Sequence, residues 1–432
     1  MIHCTFDGVA NVYHGIGTQT RYLLSCLAEH RSEIEDAVGD FDVQLLVPDY
    51  QRDRPGYTLD QAVLNDSLAR AERARVVVVE LAHDDGPLFT IEKWHQVSRA
   101  AAEHIAGVVD SYDTVTIVAV DAIYCVLAEH LDEVLSPEAW KKTTLVSYLA
   151  SSAKVPGTSH TPGREEAEAA CVERANRDPR VFLADIGQWF SRHLVEAYAL
   201  RPDRLKPYPV CMSFDDAEMQ VRPEAEARAE VLSRGVPLDR PLVLSFGRAD
   251  PIKGFDQAIA ALRPLAEAVH FVLVAAPYNP GDPELERYRG LLEESGLRYS
   301  YFPQFERSLP ISVCSLPETS VVLATPVGEP LGMAPQEVAL WARACGPIIV
   351  GPNDGGLSEQ IEHGVTGLVF EQGDVDSMTA TVAAALSLDE ERLREMRSAA
   401  YEKVLRERDL VRVVSEFLAS VAGSPVERTS NA

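Results

Sequence analysis

Arg248 and Lys253 stand five positions apart in the stretch SFGRADPIKGF, Ser245 to Phe255. The apolar run Pro241 to Leu244 before them reads as a buried strand, and GFDQAIAALRPL after them reads as a helix. Two cations at the mouth of a strand–loop–helix unit, with Gly247 at the turn, suit a captured anion, because helix-start amides and positive side chains both attract negative charge. A solvated surface loop is the plainer alternative. The chain has only seven lysines, so Lys253 is a rare residue in a telling place.

A second group lies in GEPLGMAPQEVALW, where Glu329 and Glu337 are eight apart with Gly332 and Met333 between them. The pattern predicts a helix from about Leu331, and Pro335 fits its first turn, where amides lack intrahelical acceptors. A glycine-lined helix start seats phosphate or sugar, and ionised carboxylates accept hydrogen bonds from vicinal hydroxyls. The plain reading makes Glu329 a helix-start residue and Glu337 a solvated one. In YHGIGTQTRYLLSCL, Gly15 and Gly17 come just before a predicted helix, with Thr18 and Thr20 as polar helix-start residues.

The elements that position these groups alternate. Short β-branched runs (Ile2–Phe6, Val43–Val47, Arg75–Leu81, Val115–Val120, Thr144–Leu149, Val181–Ala184) are separated by stretches with helical spacing of apolar residues. After the polar, irregular CMSFDDAEMQVRPE a second series follows, with PLVLSF, HFVLVAAP, SVVLATP and PIIVGP. The expected fold is α/β, two Rossmann-like domains facing across a cleft, with ligands beyond the carboxyl ends of the strands. The boundaries expected are an N-terminal acceptor-side domain over 1–213, a C-terminal domain over 214–408, and a helix and tail over 409–432 packing back on the N-terminal domain.

The 432 residues exceed one ordinary core. The net charge of −26 argues against duplex nucleic acid or an anionic membrane as partner. Seven scattered cysteines, none in a CxxC pair, fit buried small hydrophobes in a reducing compartment. With no secretory signal and no long apolar span, a cytoplasmic location is expected. No metal is expected: Asp40-Phe41-Asp42 and Asp374-Val375-Asp376 mimic cation-binding triplets, but the first precedes a strand and the second reads as a helix cap, while His83-Asp84-Asp85 lacks partners at zinc spacing.

Taken in order, GRADPIKG, EPLGMAPQE and GPNDGGLSEQIEHGVTGLVF make the second half resemble the retaining GT-B glycosyltransferases of family 4 (glycosyl transferases group 1); the first half resembles them weakly. The resemblance implies a nucleoside diphosphate sugar donor and a small-molecule or glycan acceptor. It assigns Arg248 and Lys253 to the diphosphate, Glu329 to the donor sugar and Glu337 to the ribose. Gly332, Met333, Gly355 and Gly356 would line sugar and phosphate, Gln304 and Phe305 would border the base, and Gly15 and Gly17 would approach the diphosphate. Many relatives carry His after a middle strand of the first domain, where this chain has Asp121. Asp121 could orient or deprotonate an acceptor hydroxyl, or simply cap the next helix, the simpler reading. The usual Asn-Gly element before the linker is replaced by YPVCMSF.

Two other readings compete. An NAD-linked two-domain oxidoreductase needs a third glycine where Thr20 stands and an acid ending the second strand, for which Asp49 is the candidate. A catalytically silent nucleotide- or glycan-binding partner would also fit the first-half departures. The acidic first half, with AHDDGP and Asp121, further suggests a cationic acceptor such as an amino-sugar or aminocyclitol in bacterial natural-product biosynthesis.

Overall fold

The computed structural model describes residues 1–12, 14–48, 59–84, 86–158, 161–277, 281–304 and 306–422. Their contacts divide into two units. One comprises residues 1–154, 159–213 and 410–432, the other residues 155–158 and 214–409.

In the first unit the strands are β1 (Ile2–Cys4), β2 (Val43–Pro48), β3 (Val76–Leu81), β4 (Val115–Val120), β5 (Thr143–Tyr148), β6 (Val181–Asp185) and β7 (Leu205–Pro207). Among the described residues they make one sheet in the order β3-β2-β1-β4-β5-β6-β7, every neighbouring pair parallel. Such sheets are covered by helices on both faces, which is why β4 reads as a nearly unbroken apolar run and why β5, for all its Thr and Ser, is buried at every position but Thr144. The helix Leu410–Ala422 belongs to this unit. Its Phe417 ring stacks on Tyr208 at 4.2 Å, and its Ser420 carbonyl accepts from Lys206 Nζ at 3.0 Å.

The second unit repeats the plan with β8 (Leu242–Arg248), β9 (His270–Ala276), β10 (Tyr299–Phe302), β11 (Thr319–Leu323), β12 (Ile348–Pro352) and β13 (Gly367–Phe370), ordered β10-β9-β8-β11-β12-β13. All seven residues of β9 are buried, and Phe271, Leu273 and Ala275 join Val243, Val321 and Val350 in its core.

Both sheets grow outward in one direction for three strands and then return to pair beside their own first strand. The strand order therefore reverses between β1 and β4 in one unit and between β8 and β11 in the other. At such a reversal the loops leaving two adjacent strands splay to opposite faces and open a crevice at their carboxyl ends.

Two local expectations are corrected, and one strand was not expected. Gly332 has φ +74°, a left-handed conformation that cannot lie in a right-handed helix, so the helix runs Ala334–Trp341 and not from Leu331. Gly15 and Gly17 do not precede their helix but form its first turn, in Gly15–Val38. The strand β7 escapes the sequence pattern because it is a three-residue edge piece, Leu-Lys-Pro.

Candidate functional site

At the β8/β11 reversal the chain brings Arg248, Lys253 and Glu329 together. Arg248 ends β8 one residue after Gly247, and Lys253 closes the short 3-10 turn Pro251–Lys253. That turn is fixed by Asp250, whose carboxylate accepts from the Ile252 amide at 3.0 Å. Asp250 also lies 3.6 Å from the Arg248 guanidinium. From the β11 side, the Thr325 hydroxyl donates to the carbonyls of Lys253 (2.9 Å) and Gly254 (2.8 Å), tying the two loops to each other.

Across this seam the Lys253 ammonium donates to the Glu329 carboxylate. Burial alone would raise the Glu329 pKa. The charges of Lys253 and Arg248 outweigh it and hold this carboxyl below its ordinary value. Two cations and one ionised carboxylate thus face one crevice, a set able to grip an anion and to accept hydrogen bonds from hydroxyls beside it.

The turn Gly355-Gly356 braces this arrangement from behind. The Gly356 amide donates to the Glu329 carbonyl at 2.7 Å, and a Cβ on Gly356 would lie 2.0 Å from the Pro330 carbonyl oxygen. Gly332 sits against Leu357 and the Glu329 stem, and Met333 immediately precedes the helix Ala334–Trp341.

Glu337 is buried in the first turn of that helix, not solvated, and accepts from Arg307 Nη2 at 2.9 Å. The Arg307 guanidinium also lies 2.9 Å from Glu218 and 5.6 Å from the centre of the Trp341 ring. Sequence reasoning missed Arg307 because it sits thirty residues from Glu337, in no motif with it. Gln304 is exposed and donates to Glu306 at 3.0 Å. Phe305 and Asp49 lie outside the described residues.

In the first unit the glycine loop looks different from its sequence. Asp7, fully buried, places its carboxylate against Gly17, where a Cβ would meet the Asp7 carboxyl carbon at 2.6 Å. The Asp7 carboxylate accepts from the amides of Gly8 (2.9 Å) and His14 (2.7 Å) and pairs with His14 Nδ1 at 3.1 Å. A protein carboxylate therefore already occupies the neighbourhood of this helix start. Gly15 is exposed and Gly17 buried. Thr18 and Thr20 are buried too, and the Thr20 hydroxyl donates to the Ile16 carbonyl at 3.0 Å.

Asp121 follows β4 directly. It makes no side-chain capping bond to the short turn Ala122–Tyr124, so the capping reading fails. Its backbone has φ +70°, and its Oδ1 is buried without a hydrogen-bond partner. Asp374, by contrast, does cap its helix, accepting from the Ser377 amide at 2.9 Å. Among the described residues no three His, Cys, Asp or Glu side chains gather in a way that would hold a metal ion. No helix among them is long and apolar enough to cross a membrane.

Residues 229–403 match the family Glycosyl transferases group 1. The chain is similar to D-inositol 3-phosphate glycosyltransferase of Acidothermus cellulolyticus, 28% identical over 193 residues, which cover 43% of this chain and 41% of the relative. It is also similar to alpha-maltose-1-phosphate synthase of Mycolicibacterium smegmatis, 28% identical over 257 residues, covering 54% of this chain and 65% of the relative. The matches thus span less than two thirds of either relative's length. Among solved structures, sucrose-phosphate synthase of Thermosynechococcus elongatus superposes with a TM-score of 0.70 at 16% identity over 98% of this chain and 97% of its own. Anabaena HepE, solved with UDP and glucose, superposes with a TM-score of 0.70 at 16% identity over 98% of this chain and 99% of its own. Residues 229–403 thus carry the match to the glycosyl transferases group 1 family, and the likeness to the two solved structures is one of GT-B fold.

Proposed function

We propose that the protein transfers a glycosyl group from a nucleoside diphosphate sugar to a hydroxyl of a small-molecule or glycan acceptor, with retention at the anomeric carbon. The observation that carries this reading is the convergence of Arg248, Lys253 and Glu329 on the crevice between β8 and β11.

In the reaction the bond between the anomeric carbon and the diphosphate oxygen breaks, and a bond to the acceptor oxygen forms. The acceptor proton passes to the departing diphosphate. The transition state is oxocarbenium-like, as in glycoside chemistry generally, so the chain's task is to stabilise negative charge on the leaving group. Arg248 offers a planar fork of donors and Lys253 a compact point charge. When the diphosphate enters, Lys253 turns from Glu329 toward phosphate, and the Glu329 carboxylate is released to accept from sugar hydroxyls. Glu337, already oriented by Arg307, presents its other oxygen to the ribose hydroxyls. No metal ion or other cofactor is part of this proposal.

HepE was solved with UDP and glucose, so UDP-glucose is the first donor to test. The names of the curated relatives make inositol phosphate a first acceptor. The charge of −26 makes an amino-sugar or aminocyclitol, as in natural-product biosynthesis, the rival acceptor class. Purified protein is incubated with UDP-, GDP- and ADP-sugars and a panel of both acceptor classes, with products followed by mass spectrometry and anomeric configuration read by NMR. A product with the donor's anomeric configuration supports the proposal. Absence of both transfer and donor hydrolysis would leave a silent binding module, and binding of a nicotinamide cofactor would favour the oxidoreductase.

A further inference from the structure

Glu329 enters its site on residues 329–333, a stretch that belongs to no helix or strand, so no backbone ladder fixes it. One side chain meets its carbonyls instead. Gln360, 7% exposed, places Nε2 2.6 Å from the Leu331 carbonyl oxygen, 3.1 Å from that of Gly332 and 3.2 Å from that of Gly356. A primary amide nitrogen carries two hydrogens, so it serves two of these carbonyls at a time with the third in reach. Gln360 thereby ties the left-handed turn at Gly332, φ +74°, to the glycine turn whose Gly356 amide holds the Glu329 carbonyl at 2.7 Å.

Gln360 is itself oriented. Its Oε1 accepts from Gln336 Nε2 at 3.0 Å, and Gln336, 2% exposed, stands in the helix Ala334–Trp341 one residue before Glu337. Turning the Gln360 amide over would aim its oxygen at three carbonyl oxygens and its nitrogen at another donor, so the network permits one orientation. Gln336 Oε1 is left buried, with no hydrogen-bond partner among the described residues. Two buried amides, one incompletely satisfied, are a costly filling for space that leucine or methionine occupies without polar atoms. In return the pair sets a fixed spacing between the segment behind Glu329 and the helix turn that bears Glu337.

We infer that Gln360, held by Gln336, is a positioning residue for the donor sugar: through the carbonyls of Leu331 and Gly332 it sets where the Glu329 carboxylate stands. The sugar in this role rests on the glycosyltransferase reading, whereas the placement of the segment does not. Glu337 has an anchor of its own in Arg307, at 2.9 Å. Loss of Gln360 therefore reaches the sugar side and spares the nucleotide side.

The test uses the full chain and two variants. Gln360→Met keeps the length of the side chain and removes its donors and acceptor. Gln360→Glu keeps the shape, has no hydrogen to donate when ionised and regains one when protonated. Amide hydrogen exchange is followed at Gly356 and, as a control, in the buried strand β9. In Gln360→Met, exchange at Gly356 should be about tenfold faster or more with β9 unchanged, the mark of a local opening rather than a global one. Turnover of UDP-glucose should fall about tenfold or more while UDP affinity, read by calorimetry, changes by less than about twofold, as loss of hydrogen bonds behind one carboxylate implies. The turnover of Gln360→Glu relative to wild type should rise as the pH is lowered, because the neutral carboxyl donates again.

Unchanged exchange at Gly356, equal acceleration in β9, or joint loss of turnover and UDP affinity would make Gln360 a packing residue and overturn the role. Should Gln360→Met fail to fold, Gln336→Met carries the same comparison: it removes only the anchor, and a smaller acceleration confined to Gly356 is expected. If the wild type neither binds UDP nor turns over UDP-glucose, the proposed donor falls, while the exchange comparison still decides whether Gln360 places this segment.

Discussion

The ammonium of Lys253 rests on the carboxylate of Glu329, joining loops that leave two adjacent parallel strands and lie 76 residues apart in the chain. The pair leaves the charge of Lys253 balanced by a carboxylate. Arg248→Ala and Lys253→Ala should each lower turnover with UDP-glucose by roughly 2–4 kcal/mol of barrier, the cost of one preorganised cationic donor. Steady-state kinetics on variants whose thermal unfolding matches the wild type checks this. Near-normal turnover in both would remove the diphosphate assignment.

The same pair makes stability depend on pH. The folded-state pKa of Glu329 lies below its ordinary value of 4.5, so its contribution is complete above that value and disappears as pH falls through the lowered one. Glu329→Gln should therefore be less stable than wild type at neutral pH, and the two denaturation curves should converge as the pH falls below 4.5 and through the lowered value. A gap that stays constant between pH 7 and acid would mean that the carboxylate is not held by these cations.

Glu337→Ala should weaken UDP binding and Glu329→Ala should mainly slow sugar transfer. Arg307 adds a third arm. Arg307→Ala frees the Glu337 carboxylate and should weaken UDP binding in the same direction by about tenfold or less, the scale of one charge-assisted hydrogen bond. Calorimetric titration with UDP alone separates the three, and loss of binding in Glu329→Ala with retention in Glu337→Ala would reverse the two roles.

A methyl group on Gly356 would have to displace the Pro330 carbonyl it would meet at 2.0 Å. Gly356→Ala should cost about 1–3 kcal/mol of stability, as overpacking commonly does, and should disturb Glu329 because that segment carries it. Thermal unfolding and donor hydrolysis measured together test it; an unchanged melting temperature would show that the segment yields freely.

Asp121→Gly should do the opposite. Glycine adopts φ +70° without strain, so the variant should gain stability of about 1 kcal/mol. A variant that is less stable than wild type would mean that the carboxylate serves the fold.

The strands were legible because parallel strands buried on both faces must be apolar throughout, and Val115–Val120 was read to the residue. The cluster Arg248, Lys253 and Glu329 was legible because residues at strand ends stay close to their strand. Arg307 was not, since an ion pair between segments leaves no spacing in the sequence. The glycine loop misled for a related reason: Gly15 and Gly17 read as room for a ligand, whereas the space at Gly17 is filled by Asp7. Asp121 read most simply as a cap because its left-handed backbone, which keeps the side chain off the next turn, is invisible in composition.

The helix Leu410–Ala422 completes a unit whose other residues end at Ser213, so that unit cannot finish folding in the order in which it is made. At a translation rate of about 5–20 residues per second, roughly 10–40 s separate emergence of Tyr208 from synthesis of the Phe417 that stacks on it. During that interval the nascent chain exposes the apolar face of its first long helix and must rely on its own charge, or on a chaperone, to remain dispersed.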